Sequence, residues 1–309
     1  MISAMERDGH WACNQKCLNC YAADQVKAND KELSTEEWKN LISKLREAMV
    51  PQITFTGGEP TMRDDLVELV SFASWFVTRL NTNGQRLTKE LCKELAEASL
   101  DAVQVTFYSH KKEIHNMLVG VDGFDKTCAG VKNALEAGLV VSINTPLCEL
   151  NKDYVETIKY ASKELGVRYF TCSGLILTGN ATYEVSYNSR LNGDELKQIL
   201  VEAINYCHEN DLEIKFTSPG WIDEEFFKAN KLNPPMCGAC ISNMAITPGG
   251  DLVPCQSWLN GETFGNLCER SFSSIWEGKA LNAFRKKNIK TDFECPLNEM
   301  RLDYEKKNW

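Results

Sequence analysis

The chain has 309 residues, enough for one large domain or two smaller ones. Its hydrophobic (43%) and charged (25%) shares are those of a globular protein, and no apolar run reaches the length of a membrane span. A net charge of −9, from 43 acidic against 34 basic residues, argues against a nucleic-acid partner held by phosphate neutralisation and leaves peptides and small molecules open.

No secretory signal precedes Cys13, so a cytoplasmic location with no membrane partner is expected. In that compartment thiols stay reduced, and thirteen cysteines point to metal rather than to a disulfide framework. They fall into a front group (Cys13, Cys17, Cys20), a rear group (Cys237, Cys240, Cys255, Cys268, Cys295) and scattered singles.

In chain order, residues 2–12 read as a lead-in strand delivering the cysteine loop. Ser34 and Glu37 form a capping box before a helix whose apolar positions are Trp38, Leu41, Ile42 and Leu45. Pro51 ends it, and a β-rich run over 52–56 leads into Gly57-Gly58-Glu59-Pro60. A helix from Asp64, a strand over 78–83, a helix over 88–97 and a strand over 102–108 follow. Tyr108-Ser109-His110 and Glu113-Ile114-His115 follow that strand and read either as lining of the substrate mouth or as an exposed loop with no role. Helices over 124–137, 154–165 and 192–209 alternate with strands over 140–144 and 167–172. Six strand–helix units in series predict a parallel sheet with right-handed crossovers. The expected fold class is α/β, a partial (β/α)6 barrel of the TIM type with its site at the C-terminal strand ends. Regular alternation stops after Ser218-Pro219-Gly220, which divides the chain into 1–220 and a cysteine-rich 221–309.

Cys13-x3-Cys17-x2-Cys20-Tyr21 places three thiolates on one short loop. They can hold three corners of a [4Fe–4S] cube and leave the fourth iron open, or they can belong to a structural zinc site with His10 as fourth ligand. The two glycines of Gly57-Gly58-Glu59-Pro60 allow backbone to approach a ligand and to take positive φ, and Glu-Pro fixes the exit of the turn. Together, the cysteine loop with its aromatic and the Gly-Gly-Glu-Pro turn resemble the two signatures of the radical S-adenosylmethionine (radical SAM) superfamily, over residues 10 to about 216.

That resemblance implies a cofactor set and a chemistry. The [4Fe–4S] cluster on Cys13, Cys17 and Cys20 would bind S-adenosylmethionine (SAM), with Tyr21 following the last ligand and the backbone of Gly57, Gly58, Glu59 and Pro60 contacting the methionine amino group. Reductive cleavage of SAM would give a 5′-deoxyadenosyl radical that abstracts a substrate hydrogen atom. A reducing donor such as flavodoxin or ferredoxin would supply the electron. Thr82, Asn83, Thr106 and Asn144, at strand ends, would touch the ribose or methionyl group, or serve as ordinary strand-end caps. Cys172, at another strand end, either packs or lines the cavity as a hydrogen-atom donor.

In the rear half, Cys237-x2-Cys240, a Pro-Gly-Gly hairpin over 246–253, Cys255, Gly265-Asn266 and a helix at Ile275-Trp276 resemble the auxiliary-cluster region called SPASM, or its shorter twitch form. The later cysteine run of a full SPASM region is missing. One auxiliary [4Fe–4S] cluster on Cys237, Cys240, Cys255 and Cys295 is therefore expected, for electron transfer, with Cys268 as the alternative ligand. Zinc remains the other reading of the same spacing.

Residues 105–124 look most like the branch that matures ribosomally made peptides by crosslinking, epimerisation or oxidation. Only twelve residues precede Cys13, so a leader-binding module is not expected ahead of it. A small-molecule dehydrogenase or cofactor-maturation enzyme is the alternative, and a non-catalytic zinc module a distant one.

Overall fold

The computed structural model describes residues 13–23, 32–259, 261–290 and 295–297. Among them, β1 (Gln52–Phe55), β2 (Val77–Thr82), β3 (Ala102–Thr106), β4 (Val140–Pro146), β5 (Tyr169–Ser173) and β6 (Glu213–Phe216) form one sheet in sequence order. Every pairing is parallel. The helices are α1 (Thr35–Glu47), α2 (Leu66–Phe72), α3 (Lys89–Glu97), α4 (Lys112–Val119), α5 (Phe124–Glu136), α6 (Tyr154–Lys163), α7 (Glu184–Asn188), α8 (Gly193–Glu209), α9 (Glu224–Ala229), α10 (Phe272–Trp276) and α11 (Lys279–Lys290). A two-stranded antiparallel hairpin, β7 (Ala245–Ile246) and β8 (Leu252–Val253), lies between α9 and α10. The whole is the expected partial barrel followed by a cysteine-rich hairpin-and-helix region.

Local chemistry explains the elements. At α1 the Ser34 hydroxyl accepts from the Glu37 N–H and the Glu37 carboxylate accepts from the Ser34 N–H, while Trp38, Leu41, Ile42 and Leu45 are buried. Along β3 and β4, Val103, Val105, Val141 and Ile143 are buried beneath the helices, and the intervening Gln104, Thr106, Ser142 and Asn144 are only partly covered. Alternation of period two thus sends one set of side chains to the helices and the other toward the inside of the partial barrel.

Two expectations change. The sixth strand of the sheet is β6, a four-residue segment at 213–216; the expected lead-in strand at 2–12 lies outside the described residues, as does His10. Residues 112–119 form helix α4 rather than an exposed loop. His115 on it is fully buried among Phe107, Tyr108 and Phe124, and its Nδ1 accepts from the Tyr108 N–H at 3.3 Å. Among the described residues no helix is long and apolar enough to cross a membrane.

Candidate active site and auxiliary cysteine site

The front cysteine loop is held from three sides. Lys16 and Leu18 donate their N–H groups to the carbonyls of Val119 and Leu118 at the end of α4. Asn83, just past β2, donates through Nδ2 to Asn14 Oδ1 at 2.7 Å. The segment after β5 supplies the rest: the Asn180 N–H and Nδ2 reach the carbonyls of Cys20 and Cys17, both at 2.9 Å, and Ser186 Oγ reaches Leu18 O at 2.7 Å. Gly179 passes beneath the loop with φ +56°, and a Cβ there would sit 2.4 Å from Cys20 O. None of Gly179, Asn180 and Ser186 stands out in the sequence, because their partners are more than 150 residues away.

Cys13, Cys17 and Cys20 are half-buried and near enough to influence one another's charge. Burial pushes the Cys13 thiol up to about 12, and the neighbouring Glu59 carboxylate and Cys20 add to the rise. Three converging soft donors fit an iron–sulfur cluster, whose assembly would displace their protons.

The Gly-Gly-Glu-Pro turn follows β1 at its C-terminal end, and Gly57 takes a positive φ of 141°. Glu59 is 1% exposed and receives four hydrogen bonds. Its Oε1 accepts from Thr61 N (3.1 Å), Thr61 Oγ1 (2.7 Å) and Thr82 Oγ1 (2.6 Å), and its Oε2 accepts from Asn83 N (2.7 Å). Burial raises its pKa while these four donors pull it back. The side chain is therefore a strut that ties the turn to the end of β2, and through Asn83 to the cysteine loop. Thr82 Oγ1 also accepts from Gly84 N, so the hydroxyl is fully engaged.

A cavity of about 1000 Å³ runs from α1 and β1 past the C-terminal ends of β4 and β5 to the rear cysteines. Asn144 and Tyr21 line it, with Gln104, Thr171 and Ser173; Thr106 lies in register with Asn144 on the adjacent strand. His110 and His115 are not among its lining residues, and neither is Cys172. The last is a correction. Thr171 and Ser173 take the cavity side of β5, which turns Cys172 outward, fully buried, toward Tyr154 on α6 and Cys207 on α8. No hydrogen-atom donor to the cavity is available there.

The rear cysteines border the same cavity, through Cys237, Cys255 and Cys295. Cys240 sits in a tight turn in which its N–H meets Asn243 O at 2.9 Å, and it takes a positive φ of 61°, uncommon for a residue with a side chain. Cys237 and Cys295 share a hydrogen bond that lowers Cys237 and raises Cys295, and Cys255 acts electrostatically on both Cys240 and Cys295. Cys268 is exposed and has Lys44, Glu37 and Asp251 as neighbours instead, so the structure gathers Cys237, Cys240, Cys255 and Cys295 and sets Cys268 apart. Among the described residues no three His, Cys, Asp or Glu side chains are grouped as a site for a single metal ion. The Pro-Gly-Gly hairpin is pinned by Asn266, whose Nδ2 donates to Gly249 O (2.8 Å) and Asp251 Oδ1 (3.0 Å).

Comparison with known proteins agrees with this layout. Residues 12–161 match the family model of the Radical SAM superfamily, and residues 237–297 match SPASM, an iron–sulfur cluster-binding domain. The chain is 30% identical to an Fe-coproporphyrin III synthase of Methanosarcina barkeri over 85% of its own length and 71% of that protein's. It is 29% identical to a PqqA peptide cyclase of Bradyrhizobium diazoefficiens, over 88% and 72%. Among solved structures, Streptococcus suis SuiB bound to precursor peptide SuiA superposes with a TM-score of 0.74 at 18% identity, covering 94% of this chain and 70% of that one; at that identity the likeness is one of fold.

Proposed function

The chain belongs to the radical SAM superfamily and carries a SPASM region, and from this premise we propose that it modifies a ribosomally made peptide. It is an enzyme that uses a [4Fe–4S] cluster with SAM, and its SPASM region binds auxiliary iron–sulfur. In our reading Cys13, Cys17 and Cys20 hold the SAM cluster within residues 1–220. Cys237, Cys240, Cys255 and Cys295 hold one auxiliary cluster within 221–309. When bound and reduced, the front cluster with SAM supplies a 5′-deoxyadenosyl radical able to take a hydrogen atom from an unactivated C–H bond.

The residues around that chemistry bind, orient and shield. The Gly57–Pro60 turn, braced by Glu59, offers backbone to the methionyl end of SAM, and Asn144 and Tyr21 face the space it would occupy. The wall of the cavity mixes apolar side chains with amides and hydroxyls, which suits it to orient a substrate beside the radical.

One observation favours a peptide over the polycarboxylate of the coproporphyrin relative. Among its described lining residues the cavity has no Lys, Arg, His or Asp, and a single Glu, Glu277. A polyanion needs cationic partners to leave water, and a thiolate-bound cluster at the rear cysteines would repel it further. A peptide segment needs only hydrogen-bonding groups for its main chain, which Gln104, Asn144, Thr171 and Ser173 supply. The PqqA peptide cyclase provides a relative of that substrate class. Because the rear cysteines border the same space, a substrate radical formed there faces the auxiliary site, which suits electron removal by that cluster.

The test is turnover by anaerobically reconstituted, reduced enzyme with SAM, offered short peptides encoded beside its gene and, separately, Fe-coproporphyrin III. A peptide should lose two hydrogens, or keep its mass and take up one deuterium from heavy water. Conversion of the coproporphyrin with every peptide left unchanged would overturn the proposal.

A further inference from the structure

Arg285, on α11, brings a permanent positive charge to Cys240. Its Nε donates to Cys240 O at 2.7 Å, and its Nη1 donates to Trp276 O at 2.8 Å and to Asn282 Oδ1 at 3.0 Å. The guanidinium lies flat on the Trp276 ring, 3.7 Å from its centre. Three hydrogen bonds and a stacked face fix its plane, a geometry that a lysine ammonium cannot reproduce. The remaining nitrogen, Nη2, is buried and has no hydrogen-bond partner among the described residues. A buried guanidinium N–H without an acceptor is costly, so a donor left over at this point fits an acceptor that arrives with the cluster, such as a cysteine or inorganic sulfur. The Cys240 side chain is within electrostatic reach of the guanidinium; the other charged group acting on Cys240 is the exposed Glu262.

We infer that Arg285 is a positioning residue that sets the reduction potential of the auxiliary cluster. The inference rests on the reading in which Cys237, Cys240, Cys255 and Cys295 hold that cluster. Each electron the cluster accepts makes the metal–thiolate unit more negative, and a fixed cation beside one ligand stabilises that reduced form. Arg285 thus makes the auxiliary site a better acceptor for an electron leaving a substrate radical on the cavity side. Its partners lie on α10, α11 and the Cys237–Cys240 turn, so one side chain also orders the three segments around the site.

The experiment uses full-length protein with Cys13, Cys17 and Cys20 replaced by Ala, so that the rear cluster is the only one loaded. Iron content first reports whether it assembles; its absence in this background would overturn the ligand reading, and the inference with it. Potentiometric titration followed by electron paramagnetic resonance then compares Arg285 with Arg285→Gln and Arg285→Lys. The reduced-to-oxidised ratio at fixed potential should fall about tenfold in Arg285→Gln, or 59 mV for a one-electron couple. Arg285→Lys should keep most of the native value. An unchanged potential in Arg285→Gln, or an equal fall in Arg285→Lys, would overturn the role of the charge. If Arg285→Gln fails to load iron, Arg285→His decides. Between about pH 6 and pH 8.5, either side of the usual histidine value of about 6.5, its ratio should fall more than that of the Arg285 protein. Equal pH responses would overturn the inference.

Discussion

Replacing Glu59 with Gln keeps the side-chain shape and removes the charge and one acceptor oxygen. The carboxylate now receives bonds from Thr61 N, Thr61 Oγ1, Thr82 Oγ1 and Asn83 N. A Gln with its carbonyl at the Oε1 position keeps three of them, as neutral rather than charge-assisted bonds, and turns its NH2 toward the Asn83 N–H. Orphaning that buried N–H costs about 1–3 kcal/mol, and weakening three charge-assisted bonds adds up to about 1 kcal/mol each. Against this, burial holds the native carboxylate above its ordinary pKa, so removing the charge returns part of the loss. The balance is a destabilisation of about 2 kcal/mol. In urea denaturation of the apoprotein this appears as a midpoint lowered by several tenths of a molar or more. Because Asn83 also carries the bond to Asn14, front-cluster occupancy should fall in parallel. A variant within about 0.5 kcal/mol of the native protein, the size of an ordinary surface substitution, would refute the strut.

Other consequences are equally checkable. Gly179→Ala would place a methyl 2.4 Å from Cys20 O at φ +56°, a left-handed conformation costing about 1–2 kcal/mol before any overlap; it should lose the front cluster and SAM cleavage while the rear cluster remains, as iron analysis would show. Cys172→Ala should leave the yields of 5′-deoxyadenosine and of modified product unchanged, since the thiol faces Tyr154 and Cys207; loss of product with 5′-deoxyadenosine preserved would contradict that placement. His115 is neutral in the fold, its pKa lowered by burial from 6.5 to about 4. The unfolded chain takes up this proton first, so the contribution to stability is complete above pH 6.5 and is lost as pH falls toward 4. At pH 5.5 the loss is about 1.4 kcal/mol, and His115→Phe should lack that component of the pH slope in urea titrations.

Elements with strong local chemistry are legible in the sequence alone. The capping box of α1, the Pro-Gly-Gly hairpin and the alternation of strand and helix through 172 appear where their residue types demand them. Strand β6 is not legible in the sequence because four residues, two of them charged, carry too short an alternation; what secures it is pairing with β5. Helix α4 is not legible in the sequence because its N-cap, Lys111, makes no side-chain capping bond and its buried face includes a histidine. The cysteine spacings announce both cysteine groups, yet the nearness of Cys295 rather than Cys268 to Cys237 depends on long-range packing. So do the cradle of Gly179, Asn180 and Ser186 and the approach of Arg285 to Cys240 across 45 residues. Cys172 illustrates the intermediate case: its strand was foreseen, and the side it faces follows from the polar Thr171 and Ser173 on either side.

The most direct test of the central claim is the yield of 5′-deoxyadenosine, measured with iron content, in native protein and in the Cys13→Ala, Cys17→Ala, Cys20→Ala variant after anaerobic reconstitution. Two four-iron clusters predict about eight irons and SAM cleavage in the native chain, and about four irons with no cleavage in the variant. Cleavage that survives in the variant, or a native protein that takes up zinc in place of iron at the front loop, would contradict the account.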